Sequence, residues 1–297
     1  MADFEELVKR LGDADPKTRM NAADVLGDAA VHEKDITVAI PALTDALSDR
    51  NNIVRRMAAG ALGRAAIQGA DITAAISALA EALSHKNAGL RNEAGTALRF
   101  AACGNEKSRD AALSALVKAL SDGNVAARGH AAGALGYAAL HGTDMTVAIP
   151  PLAEALSDKD SYVRYKAAGA LRNAASEGAD ITAATSALAK AISDADPDVR
   201  RKAADSLGYV IEKCTSIEAL DGTEAKLQKE YCALRKKCQY QRKDALAGTG
   251  FGFSKLANQI AQRRDELAPQ HDILLSDMPK PPKGGGVYQQ MRKIRYG

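Results

Sequence analysis

Residues 58–66 read AAGALGRAA, and these letters return almost unchanged as AAGALGYAA at 131–139 and AAGALRNAA at 167–175. Near-copies within one chain are the signature of a stacked repeat architecture, in which each unit buries a face against its neighbour. The turns that precede the copies set the register. LGDADP, LSDRNN, LSHKNA, LSDGNV, LSDKDS and ISDADP begin at Leu11, Leu47, Leu83, Leu120, Leu156 and Ile192, in steps of 36, 36, 37, 36 and 36 residues. Six units follow from that spacing.

The 297 residues are 46% hydrophobic and 26% charged, which fits a folded chain. Alanine supplies much of the apolar content, aromatics are 4% and tryptophan is absent, so closely packed thin helices fit better than a bulky β core. Helix-like runs such as DITVAIPALTDALSD precede the turns, with Asp35, Asp71, Asp144 and Asp180 at their starts. These carboxylates can accept bonds from unpaired first-turn amides, and Pro41 and Pro150 suit early helical positions. After each turn alanine recurs at 22, 58, 94, 131, 167 and 203, and leucine at 26, 62, 98, 135, 171 and 207. Residues four apart share a helix face. Ala23, Ala59, Gly95, Ala132, Ala168 and Ala204 form a second small column that lets helices approach closely. The repeated letters are the buried seam between stacked hairpins.

A helix, an acidic turn and then VR..AA.ALG resembles the HEAT repeat, especially the short variety of phycobilisome-lyase-like proteins, over roughly residues 3–212. The resemblance implies an all-α fold, an α-solenoid of about six helical hairpins. It also implies a ladder between neighbouring units, made by a turn aspartate and the arginine that opens the second helix. The matching residues are Asp13 with Arg19, Asp49 with Arg55, Asp122 with Arg128, Asp158 with Arg164 and Asp194 with Arg200, each pair six apart. In the third unit Arg91 faces His85 instead. The next helix start is replaced by CGNEKSRD with one inserted residue, and a change of curvature or a softer joint is expected there.

Positions two, five and nine after each ladder arginine share a stripe away from the seam, because a helix turns about 100° per residue. In HEAT-like solenoids that stripe lines the concave surface. Here it reads Asn21, Asp24 and Asp28; Met57, Gly60 and Arg64; Glu93, Thr96 and Phe100; His130, Gly133 and Tyr137; Lys166, Gly169 and Asn173; Lys202, Asp205 and Tyr209. The stripe begins acidic and becomes basic and aromatic. Gly60, Gly133 and Gly169 admit two readings, tight helix packing or a floor that a ligand approaches closely. Phe100, Tyr137 and Tyr209 are either binding anchors or covers of a neighbouring seam. Five stacking steps of about 10 Å make a groove roughly 50 Å long. That length suits a protein surface or an extended peptide.

Residues 1–211 hold 24 Lys/Arg against 27 Asp/Glu, whereas residues 212–297 hold 16 against 10. Three segments are expected: the solenoid over 1–212, a C-terminal helical hairpin over 213–275 that caps its open end, and a Pro/Gly-rich basic tail over 276–297. In the hairpin, Leu227, Tyr231, Leu234 and Cys238 form one apolar stripe, and Leu256, Ile260 and Leu267 another. Arg235, Lys236, Lys237, Arg242 and Lys243 suit contact with phosphate or are simply solvated. The tail is expected to be extended. Its tip, with Tyr288, Met291, Arg292, Lys293 and Arg295, either docks on a partner as a short helix or has no specific role.

The five histidines form no HExxH pattern and no GxSxG occurs, so neither a metal site, a cofactor nor catalysis is expected. The four cysteines, at 103, 214, 232 and 238, contain no CxxC pair, and no apolar run spans a bilayer. A cytoplasmic setting follows. The expected function is a non-catalytic adaptor that holds a protein partner in its groove and docks to a second component through its basic C-terminal part. A nucleic-acid or ribosome-associated factor is the alternative. A bilin-lyase-like accessory protein rests on the resemblance alone. The resemblance to HEAT-like DNA glycosylases fails on the missing tryptophan.

Overall fold

A computed structural model describes residues 4–32, 35–213, 221–227 and 255–267. Regular structure among them is entirely helical. Hairpins pair α1 (Phe4–Leu11) with α2 (Pro16–Val31), α3 (Ile40–Ala46) with α4 (Asn52–Ile67), and α5 (Ile76–Ala82) with α6 (Ala88–Ala101). They continue with α7 (Glu106–Ala119) and α8 (Val125–Leu140), α9 (Ile149–Ala155) and α10 (Ser161–Ser176), and α11 (Thr185–Ala191) and α12 (Pro197–Lys213). Residues 221–227 (α13) and 255–267 (α14) are also helical. Among the described residues no helix is long and apolar enough to cross a membrane.

The local sequence explains the unequal lengths. Asp35, Asp71 and Asp180 accept the amides of Thr37, Thr73 and Thr182, at 2.9, 3.0 and 2.9 Å. At these three places a 3-10 turn of three residues follows, so the expected long first helix divides there into that turn and seven α-helical residues. Pro41 and Pro150 fall in the first turns of α3 and α9. The long second helices start at side-chain caps, Asp15, Asn51, Asn87, Asn124 and Asp160. Three of them run out into Gly69, Gly142 and Gly178, at φ of 78°, 73° and 91°, where glycine enters the left-handed region without a Cβ clash.

Stacked second helices form the seam. The six leucines at 26, 62, 98, 135, 171 and 207 are all 0% exposed, and the alanine column beside them is closed equally well. Each such leucine contributes about 2 kcal/mol by leaving water. The closest approach falls eight residues after the ladder arginine. A methyl group added at Gly136 would lie 3.0 Å from Ala170 Cα, and one at Gly63 would lie 3.4 Å from Ala97 Cα.

The ladder is present in a different register from the one expected. Arg19 reaches forward to Asp49 at 2.6 and 2.9 Å, 30 residues on, rather than to the side chain of Asp13. Arg128 pairs likewise with Asp158 at 2.6 and 3.0 Å, and Arg164 with Asp194 at 2.7 and 2.8 Å. The six-residue relation survives through the backbone, since the Nη1 of Arg128 donates to the Asp122 carbonyl at 2.9 Å and that of Arg200 to the Asp194 carbonyl at 2.8 Å. Each aspartate also accepts its own turn amide, as Asp158 does from Asp160 at 2.8 Å. One carboxylate thereby fixes a turn and clamps the previous unit to it.

Unit three interrupts this pattern on both sides. Arg55 donates to the Asp49 carbonyl and to Asn52, and the carboxylate it should meet is replaced by His85, whose Nε2 lies 3.3 Å away. The Asn87 amide donates to His85 Nδ1 at 3.0 Å, which leaves the ring proton on Nε2, pointing at another donor. Arg91 caps the His85 and Lys86 carbonyls at 2.8 and 3.0 Å and makes no ion pair with Asp122. Other bonds bind the next junction: buried Ser108 on α7 accepts from the Ile72 amide at 2.9 Å and donates to Asp71 at 3.1 Å.

Burial holds the His85 imidazole below its ordinary pKa, with Arg55, Lys86 and Arg91 adding to the effect. A depressed histidine contributes stability that is present above about pH 6.5 and is lost as pH falls through its folded value. His85→Asp should therefore complete the rung to Arg55, add about 1 kcal/mol at pH 7.5, and widen its lead over the parent as pH falls to 5.5. Urea denaturation at both pH values checks this, and a constant gap would refute the histidine's part.

Beyond α12, Leu227 of α13 and Leu256 and Ile260 of α14 join the continuous core, at 5%, 0% and 4% exposure. Leu267 is buried as well. Lys255 meets Asp205 at 3.3 Å, and Gln259 lies where a Cβ on Gly208 would point, so α14 stacks on α12 as a further second helix would. Arg264 ties α14 to α13 by bonds to Asp221 and Glu224, both 2.6 Å.

Candidate functional site

The variable stripe lies on one solvent-facing surface. Met57, Arg64, Glu93, Phe100, His130, Tyr137, Lys166, Asn173, Lys202 and Tyr209 are all half-buried, while Asn21, Asp24 and Asp28 in the first unit are exposed. Three of these side chains are engaged elsewhere. Arg64 lies across Gly27 and meets Asp24 at 3.5 Å. Asn173 donates to the Gly136 carbonyl at 3.0 Å, and Tyr209 lines a crevice beneath α14 with Asp205, Lys255 and Gln259.

The glycines separate into two kinds that composition alone does not distinguish. Gly63 and Gly136 carry the tight packing. By contrast, a Cβ on Gly169 would meet nothing within 4 Å, one on Gly133 only Lys166 Cδ at 3.8 Å, and one on Gly60 only Glu93 at 3.4 Å. The stripe glycines face open or loosely filled space.

A cleft of about 240 Å³ opens between α6, α8 and α10, lined by Gly95, Arg99, Gly129, His130, Gly133 and Lys166 among others, and by no carboxylate. The Arg99 guanidinium carbon lies 4.8 Å from the Phe100 centroid and 4.5 Å from that of Tyr137, and those two rings meet edge to face at 5.7 Å. Lys166 Nζ sits 5.3 Å from the Tyr162 ring and 6.0 Å from that of Tyr165, and Lys202 Nζ 5.7 Å from Tyr165. Such contacts restrain a cation without neutralising it. Burial holds the His130 imidazole below its ordinary pKa, reinforced by Arg91 and Lys166.

Arg99, Tyr162 and Tyr165 lie outside the expected stripe. The position of Arg99 carried a legible signal: its column reads Gly27, Gly63, Arg99, Gly136, Arg172 and Gly208. Arg99 stands where Gly63 and Gly136 touch the next helix, and α6 and α8 pack least extensively of the consecutive second helices. Arg235, Lys236, Lys237, Arg242, Lys243, Tyr288, Met291, Arg292, Lys293 and Arg295 lie outside the described residues. Tyr231, Leu234 and Cys238 do so too.

A family model for HEAT repeats matches residues 4–99, 78–172 and 149–222. It does not single out the short lyase-like variety. A search of curated proteins returned no match. Solved structures similar to the chain include an engineered protein, 22% identical, covering 90% of this chain and 72% of its own at a TM-score of 0.50. Another is a designed armadillo repeat protein in complex with the peptide (KR)4, 24% identical, covering 70% of this chain and 99% of its own at 0.50. These likenesses are of fold.

Proposed function

The chain belongs to the HEAT-repeat family, and from that premise we propose that it is a non-catalytic scaffold holding an extended segment of a partner protein along its concave groove. The observation that carries this is the open floor at Gly133 and Gly169, flanked by half-buried side chains with no carboxylate partner. Extended segments need close backbone access with side-chain pockets to either side. The designed armadillo neighbour, which was solved with a peptide, shares the fold and so supports the reading by analogy. The basic C-terminal part, with 16 Lys/Arg against 10 Asp/Glu, docks to a second component of the same complex in a reducing cytoplasmic setting.

Filling the floor tests the groove apart from the fold. Gly133→Ala and Gly169→Ala should each raise stability by up to about 1 kcal/mol, because helix propensity improves and the new methyl meets no obstacle. Gly133→Leu and Gly169→Leu should fold yet abolish binding of peptides selected from a random display library against the full chain. A selection whose peptides bind the leucine variants equally well would rule out the groove.

A further inference from the structure

We infer that units four to six of the groove bind an acidic segment in a polyproline II conformation, with a carboxylate at every third residue. This inference rests on the groove being a peptide surface and adds the charge and spacing of its occupant. Two residues after the ladder arginine, the stripe reads His130, Lys166 and Lys202 in consecutive units. Among the described residues none of the three makes an ion pair, although the nearby Asp205 pairs with Lys255. Arg99 lines the same cleft as His130 and Lys166 and likewise lacks a carboxylate. Its buried Nε has no hydrogen-bond partner. Arg99, Lys166 and Lys202, half-desolvated cations held in place by rings, are prepared for an incoming anion, since little side-chain entropy remains to be lost. His130, held below its ordinary pKa, offers a ring N–H donor rather than a charge.

Spacing selects the conformation. The three basic positions recur on consecutive stacked helices, about 8–10 Å apart. A polyproline II segment advances about 3.1 Å per residue with three residues per turn, so side chains i, i+3 and i+6 share a face at about 9.3 Å intervals. A β-strand returns to the same face at about 6.6 Å, out of step with the helices. Glu93 occupies the same position one unit earlier and ends the basic row by repulsion. Nucleic acid fits less well, because the ring faces that would stack on bases are already covered by Arg99, Lys166 and Lys202.

The test uses the full chain and fluorescein-labelled peptides built on Glu-Pro-Ala repeats. The comparison probes are an isomer with its glutamates adjacent, Lys-Pro-Ala and Gln-Pro-Ala repeats, and a single-stranded oligonucleotide. Glu-Pro-Ala should bind at least tenfold more tightly than its clustered isomer and than the neutral or basic peptides. Lys166→Gln and Lys202→Gln should each weaken it about five- to tenfold, with Lys→Arg restoring binding and Lys190→Gln, on exposed α11, leaving it unchanged. Melting curves confirm that the variants fold. Equal binding of the clustered isomer would overturn the spacing. Groove-dependent binding of neutral or basic peptides in preference would overturn the charge while sparing the scaffold reading. Preference for the oligonucleotide, or no peptide binding at all, would overturn both.

Discussion

Arg128→Ala should destabilise the chain by roughly 3 kcal/mol, the usual consequence of breaking a buried ion pair from one side. The side chain of Arg128 is 7% exposed and that of Asp158 11%. Removing the guanidinium strands the carboxylate with the Asp160 amide and leaves the Asp122 and Gly123 carbonyls short of a donor. Arg200→Ala serves as the control, since Arg200 caps carbonyls and clamps no further aspartate among the described residues. The effect should depend on pH. Burial raises the Asp158 pKa, but Arg128 and the Asp160 amide outweigh it and hold the carboxyl below its ordinary value. A depressed carboxyl contributes stability above about pH 4 that is lost as pH falls through its folded value. The gap between parent and Arg128→Ala should therefore narrow from pH 7 to pH 3 in urea denaturation. A gap that widened in acid would contradict the clamp.

Gly136→Leu should cost about 3 kcal/mol or more, at the upper end of what overpacking does. A single methyl there already lies 3.0 Å from Ala170 Cα and 3.2 Å from its Cβ. Neither neighbour is a flexible side-chain end, so α8 and α10 must part along the seam that buries Leu135 and Leu171. Gly169→Leu, 33 residues on and facing open space, should hold or slightly raise the denaturation midpoint, because it gains helix propensity and meets no neighbour. Equal losses in the two variants would mean that helix spacing does not set the cost.

The contrast shows what the sequence made legible. The 36-residue period and the seam columns were readable, because each depends on spacing alone. The aspartates read as caps of long first helices each hold only the amide two residues on, and the side-chain caps of the second helices, from Asp15 to Asp160, were not singled out. The partner of each ladder arginine was not legible either. A bond to the next unit's aspartate is separated by a whole repeat less the length of a turn, and the nearer aspartate of the same unit competes for attention. The glycines were half legible: Gly133 and Gly136 are three apart on one helix, yet one faces the groove and the other the neighbouring backbone. Arg99 broke a glycine column, but so did Arg172, and the letters did not tell the two apart. The placement of Arg99 against Phe100 and Tyr137 depends on the spacing of α6 and α8, which no single helix encodes.

The forward reach of the ladder also bears on how such a chain can change length. A regular unit such as unit five carries half of two rungs, Asp158 for the unit behind and Arg164 for the unit ahead. An in-frame duplication of unit four or five therefore makes a new rung between the copies and keeps those already present, and the array grows without any existing residue changing. Unit three has no such freedom. A copy of it would bring another His85 in place of an aspartate, so each extra copy would add another unclamped junction. Lengthening by copying is therefore open to the C-terminal half of the array and closed at its middle.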